Sequence, residues 1–466
     1  MSWPAVLFWI LITIGVLSRS PLLLYVYAAA QCFGALLMIP SETISILPYS
    51  ICAAFIVIKI MSNKENFSRA LKIAFDPSGL GPLFIFFCYG LLSAYVMPRL
   101  FSHSIEVFPI SSTVNWPTPL QPSTSNFTQS AYMAVSVGMA LAFTTVGANP
   151  DLRRHYLQSM LFGGILLIAT GLVDLMTATL GIADLLEPFR TANYVLFVDD
   201  NVLGAKRVVG LMSEASAYGG PCVIMASMLT FLRPCFPKGL RAWPVPATIL
   251  GLLLMGMLST SSTAYVGTAV FAVAFAANWI RRFLDKSAPA REDIKAEALV
   301  VGGGALVFLF LITVTPSALD SLFNMINELI FHKVGTDSYL MRTMWTKVAL
   351  NSFFTTGGLG VGVGSARTSN WYVSIISNTG IIGATLLSVF IINLFLRKVK
   401  SDAYTSEFVT GLKYSLLPWF AMAGLAGTTP DITAGVGAVF GLITAAHATQ
   451  SKRQTRIAAP PAPVAQ

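Results

Sequence analysis

Apolar runs close to the length of a bilayer crossing recur along almost all of this 466-residue chain and leave little choice of fold. A helix needs roughly 20 apolar residues to cross a hydrocarbon core about 30 Å thick. It also satisfies its own backbone polar groups where water is absent. The runs fall at about 4–17, 21–39, 45–61, 81–97, 129–147, 157–180, 214–232, 244–259, 262–280, 297–315, 371–396, 411–426 and 430–449. They predict an all-α, polytopic integral membrane protein with about thirteen transmembrane helices, within a range of twelve to fourteen because the first two are short. Hydrophobic residues make up 55% of the chain and charged residues 11%, where a soluble chain carries about a quarter charged. No signal-peptide cleavage pattern follows the first run, so it is read as retained. Residues 1–450 read as one membrane domain and 451–466, rich in Ala and Pro, as a disordered tail.

The cations set the threading. Of 30 Lys and Arg residues, 22 fall on one side when the spans alternate. Lys59, Lys64, Arg69 and Lys72 follow the third span, Arg233, Lys238 and Arg241 the seventh, and Arg281 and Arg282 the ninth. The positive-inside rule makes that side the cytoplasm and places the C-terminus there. The formal charge of +9 then reports topology and calls for no nucleic acid.

Three exterior loops are long, at about 98–128, 181–213 and 316–370. The first, with Pro98, Pro109, Pro117, Pro119 and Pro122, reads as an extended surface cover. The second carries Glu187, Arg190, Asp199, Asp200, Lys206 and Arg207 into the seventh span. The third reads as two helices. One covers 317–331, apolar at helical spacing. The other begins near Asp337 and passes through Arg342, Trp345 and Lys347 to about Phe354. Such a pair lies on the bilayer surface or caps a cavity between spans.

The five cysteines have neither metal spacing nor a disulfide framework, and the four histidines fit no metal motif, so no metal or cofactor is expected. The run Gly357, Gly358, Gly360, Gly362, Gly364 lacks the Lys of a phosphate-binding loop. It reads either as a flexible turn or as bare amides approaching an anion. Glu214 is placed one turn inside the seventh span, where an ionisable group is costly. It is either a salt-bridge partner of Arg207 or a direct catalytic group. Asp174, in the sixth span, is either paired or protonated. Trp345 and Trp371 are interfacial anchors or sugar-stacking platforms. Any single exterior Arg is either a snorkelling anchor or a grip for an anion.

Taken in chain order, four features resemble the bacterial O-antigen polymerase and O-antigen ligase superfamily (Wzy/WaaL-like), which includes exopolysaccharide polymerases. They are Arg207, Gly210 and Glu214 at the mouth of span seven, the Ser/Thr turn at 259–263, Arg342 with Trp345, and the stretch from Gly360 to Asn370. The resemblance covers about 200–395. Two departures stand out: no Arg lies in the Ser/Thr turn, and the positions before Asn370 are Arg367, Thr368 and Ser369 where the family often has His. The base that activates the acceptor is therefore open, with His332, Glu214 and Asp337 as candidates. The missing His weakens the relation to ligases more than to polymerases.

The resemblance implies a GT-C-like inverting glycosyltransferase, independent of metal, at the periplasmic face of the bacterial inner membrane. It implies undecaprenyl-pyrophosphate-linked glycans as substrates, with a flippase and a chain-length regulator as further partners beside the lipid bilayer. Arg207, Arg342 and Arg367 would grip the pyrophosphate, since a guanidinium fork binds phosphate oxygens two at a time. Glu214 and His332 would join Arg207 and Arg342 in catalysis. Lys206, Trp345, Asn370, Gly360, Gly362 and Gly364 would contact substrate. Two alternatives stay open: a ligase sharing fold and donor, and a flippase for the same lipid-linked sugars. Transporters often carry internal repeats, and none is evident here.

Overall fold

The computed structural model describes residues 1–40, 45–110, 116–192, 196–197, 201–202, 205–285, 294–295, 297–298, 302, 337–398 and 402–458. Most of the run at 297–315, the helix expected over 317–331, and His332 lie outside the described residues.

The helices are α1 (Trp3–Leu17), α2 (Leu22–Ala30), α3 (Pro48–Met61), α4 (Lys64–Ala74), α5 (Gly81–Leu100), α6 (Thr124–Ala148), α7 (Pro150–Thr179) and α8 (Ala215–Leu232). They continue with α9 (Lys238–Ala242), α10 (Pro244–Leu258), α11 (Ser262–Leu284), α12 (Asp337–Thr355), α13 (Trp371–Leu396), α14 (Ala403–Ala426) and α15 (Ala434–Ala458). Among the described residues, strand is confined to two short antiparallel ladders. In one, β1 (Glu106–Val107) pairs with β2 (Thr118–Pro119); in the other, β3 (Asn201–Val202) pairs with β4 (Ala205–Lys206). Among the described residues, six helices are long and apolar enough to cross a membrane: α5, α6, α7, α8 with its extension to Cys235, α11 and α13. Shorter apolar helices are α1, α3, α10 and the 434–447 part of α15.

Local chemistry sets the boundaries. Proline opens α1, α3, α5, α7 and α10, where its missing N–H costs nothing. Asn149 closes α6 and caps α7, its side chain accepting from the Asp151 and Leu152 amides at 2.9 and 3.3 Å. The second and thirteenth spans differ from expectation in instructive ways. The second, expected over 21–39, is helical only through Ala30, because the following segment bonds elsewhere: Ala35 N to Leu211 O at 3.1 Å and Leu37 N to Thr191 Oγ1 at 3.0 Å. The thirteenth starts at Ala434 rather than 430, and its helix runs on to Ala458, into the stretch expected as tail.

The tightest helix pair is α6 against α15. Gly437 and Gly441, four apart, let the backbones meet, and a Cβ on either would collide with the main-chain oxygens of Ser136 and Ala140. That approach fixes Ser136 beside the α14–α15 connector. The long connectors converge at one end of the bundle. Val107 and Leu120 from the first pack with Ala349 of α12 and with Val361 and Ala366, so this connector is a packed wall rather than an extended cover. At the other end the cations are paired: Arg281 with Glu407 at 3.0 Å, and Arg282 with Glu297.

Candidate functional site

Asp174 organises the approach to α8. It is fully buried on α7. Its Oδ1 lies 2.9 Å from both Arg190 Nη2 and Lys206 Nζ. Its Oδ2 accepts from the Val209 and Gly210 amides at 2.9 and 3.0 Å. A buried carboxylate of this kind is tolerable only when paired and fully bonded, so of the two alternatives Asp174 is the paired one. Lys206, expected at substrate, instead braces this loop.

Arg207 turns to the α10–α11 turn, with Nε donating to Thr260 Oγ1 at 3.0 Å and Nη2 to Thr260 O at 3.2 Å. It shares no helix with Glu214. Helix α8 begins only at Ala215, and Glu214 is its N-cap residue in extended conformation, not one turn inside the span. The Glu214 carboxylate accepts from Ser216 Oγ and faces Arg342 Nη2 of α12 at 4.0 Å, both side chains about a third exposed. Beside them the Arg367 guanidinium lies 3.9 Å from the centre of the Trp345 ring. Burial and the nearby Arg342 charge lower the Arg367 pKa, against the opposing pull of Glu214; an Arg keeps its charge regardless. Glu214, Arg342, Trp345 and Arg367 thus form one cluster drawn from three segments, with two cations to one carboxylate and an opening to solvent. Such a cluster can hold an anion of higher charge than its own carboxylate.

The glycine run is neither a flexible turn nor an open cradle. Gly360, Gly362 and Gly364 are buried at φ +80°, +94° and +88°. The Gly360 amide donates to Thr356 Oγ1 at 3.0 Å, that of Val361 to Ser377 O at 2.8 Å, and that of Gly362 to Asn378 O at 3.0 Å. The two carbonyls are available because α13 breaks at Gly380, whose φ is +62°. A side chain at Gly362 would meet Ser93 O at 2.6 Å and Pro98 Cδ at 2.8 Å. The run is a packed strap, with the Val361 and Gly362 amides spent on α13. Asn370 caps α13, its Oδ1 accepting from Val373 N at 3.2 Å. Trp371 is buried, packs edge-on against Trp419 at 5.1 Å and is no interfacial anchor.

A cavity of about 560 Å³ opens beside the cluster. Ser213, adjacent to Glu214, lines it. So does Thr428, whose oxygen accepts from Thr368 N at 3.4 Å one residue beyond Arg367. On its wall, in the connector before α15, stands Asp431. Its Oδ2 accepts from Ser136 Oγ at 3.0 Å, and its Oδ1 is shielded from solvent. Burial raises its pKa to about 6, against the pull of Ser136 and of the Thr433 and Ile432 amides. Sequence reasoning missed Asp431 by absorbing it into an apolar run. The available signal was that it is the sole acidic residue after Glu407. Among the described residues no group of three or more His, Cys, Asp or Glu could hold a metal ion.

No family model matches the chain, and no curated protein matches it.

Proposed function

We propose that this protein is an inverting glycosyltransferase that polymerises undecaprenyl-pyrophosphate-linked repeat units into a surface or secreted polysaccharide. On this reading it belongs with the O-antigen polymerases and ligases, crosses the bacterial inner membrane about thirteen times in a GT-C-like arrangement, and works at the periplasmic face. The observation that carries the reading is the pairing of Arg342 with Glu214, beside the Arg367 guanidinium stacked on Trp345, with Ser213, next to Glu214 in the chain, lining a cavity of about 560 Å³. The leaving pyrophosphate carries several negative charges. Fixed guanidinium donors stabilise that charge as it develops, each worth roughly 10²–10³ in rate. Arg342 and Arg367 fill that role. Arg207, engaged by Thr260, shapes the mouth of α8.

The test is the fate of lipid-linked glycan in cells whose only copy of the gene encodes Arg342→Ala, with membrane levels of the protein verified. Single repeats accumulating on the outer face without long chains support polymerisation. Long chains left on undecaprenol point to a ligase. A flippase is the second reading, favoured by the depth of the cavity, which reaches Tyr156 and Met228; repeats trapped on the cytoplasmic face would establish it and overturn the polymerase.

A further inference from the structure

We propose that the cavity beside the cation cluster is the acceptor-sugar site and that Asp431 takes the proton from the attacking hydroxyl. The inference rests on the glycosyl-transfer reading and supplies the base that the chain's sequence leaves unassigned. Three observations support it. The cavity volume of about 560 Å³ falls within the roughly 300–1,000 Å³ of pockets that enclose small ligands. Its lining mixes aromatic faces and neutral polar groups, among them Tyr49, Tyr132, Trp419, Gln31 and Gln129. That is the lining a neutral, polyhydroxylated ligand needs, with rings to stack on and amides and hydroxyls to bond. Among the described residues that line it, Asp431 is the only charged one.

Two contacts also hold Asp431 in place. Ser136 Oγ donates to Oδ2 at 3.0 Å. The main-chain oxygen of Asp431 is held by Trp371 Nε1 at 3.0 Å. The step balances. The acceptor oxygen bonds to the anomeric carbon as that carbon's bond to the pyrophosphate oxygen breaks. The pyrophosphate leaves with the electron pair, held by Arg342 and Arg367, and the hydroxyl proton passes to the Asp431 carboxylate. Asp431 is thus a catalytic residue, and Ser136 a positioning residue that acts through it.

The titratable groups facing Asp431 across the cavity are Tyr27 of α2, Tyr49 of α3, Tyr132 of α6 and Tyr156 of α7, while α8 and α14 contribute none to the lining. Phenols ordinarily titrate near about 10, so a rate limb near neutral pH would belong to the carboxylate.

The experiment uses the full-length protein in proteoliposomes, with lipid-linked repeats extracted from the deletion strain's own membranes. Chain extension by the wild type should rise with pH and level off above about 6. Asp431→Asn should extend chains at least about 10²-fold more slowly. It should still bind undecaprenyl pyrophosphate, read by tryptophan fluorescence, with wild-type affinity, whereas Arg342→Ala should lose that binding. Ser136→Ala should move the pH midpoint upward, because the lost hydrogen bond had lowered it. If Asp431→Asn fails to fold, the Ser136→Ala shift carries the test alone. Wild-type extension by Asp431→Asn, or an unmoved midpoint in Ser136→Ala, would overturn the role of Asp431 while leaving glycosyl transfer intact. Failure of the wild type to extend any chain would overturn the reading on which the inference rests.

Discussion

Trp371 Nε1 donates to the main-chain oxygen of Asp431 at 3.0 Å, tying the first residue of α13 to the connector before α15. The bond joins the two halves of the candidate site. Trp371 follows the strap and Arg367, whereas Asp431 borders the cavity. A shift of α13 would therefore move the cation cluster and the carboxylate together.

The stacked guanidinium is the first place to test. Arg367→Ala should slow chain extension by about 10²–10³. Arg367→Lys should recover little of it, because a compact ammonium neither lies flat on Trp345 nor offers a planar fork. Rates measured on extracted lipid-linked repeats check this, with wild-type activity in Arg367→Lys as the contrary result.

Asp174 makes a prediction about stability rather than chemistry. Asp174→Ala strands Arg190, Lys206 and two amides at once. Removing one partner from such a buried network costs about 3–5 kcal/mol. Thermal unfolding in detergent should show a large loss. By comparison Glu214→Gln should change stability by less than about 1 kcal/mol, its pair with Arg342 being long and partly exposed.

The strap should resist side chains. Gly362→Ala forces a methyl against Ser93 O and Pro98 at a φ of +94°. It should cost about 2 kcal/mol or more. Gly239→Ala, in the short helix α9 with open space around it, is the control and should be neutral or mildly stabilising.

The Asp431 carboxyl links stability to pH. Its pKa is raised from 3.8 to about 6 in the folded protein, so protonation favours folding. The stabilisation is complete below about 3.8 and is lost as pH rises through about 6. Asp431→Asn removes the titration. Its melting temperature should match the wild type's at pH 4 and exceed it at pH 7.5, by the equivalent of about 2 kcal/mol. Parallel curves across that range would contradict the assignment.

The sequence carried the helical character and the extent of α12, because periodicity and run length are local properties. It also grouped Arg342, Trp345 and Arg367, close along one connector. What it could not carry was long-range pairing. Seven residues suggested Arg207 beside Glu214, yet Gly210 at φ +60° and the Asp174 bonds turn the chain before α8 starts. The glycine run invited an anion because nothing local reveals that α13 breaks 20 residues later, at Gly380, and accepts the Val361 and Gly362 amides. Asp431 was hidden for the opposite reason: a single charge in an apolar stretch hardly disturbs a hydropathy reading, although such a charge is costly and rarely idle.

The central claim is that this chain joins lipid-linked glycans at the cation cluster. The most direct measurement supplies purified protein in proteoliposomes with lipid-linked repeats extracted from the deletion strain and resolves the products by size. The account predicts a ladder of longer lipid-linked chains with one undecaprenyl pyrophosphate released per linkage, both abolished in Arg342→Ala. Repeats that cross the bilayer unchanged in length, with no undecaprenyl pyrophosphate released, would contradict it.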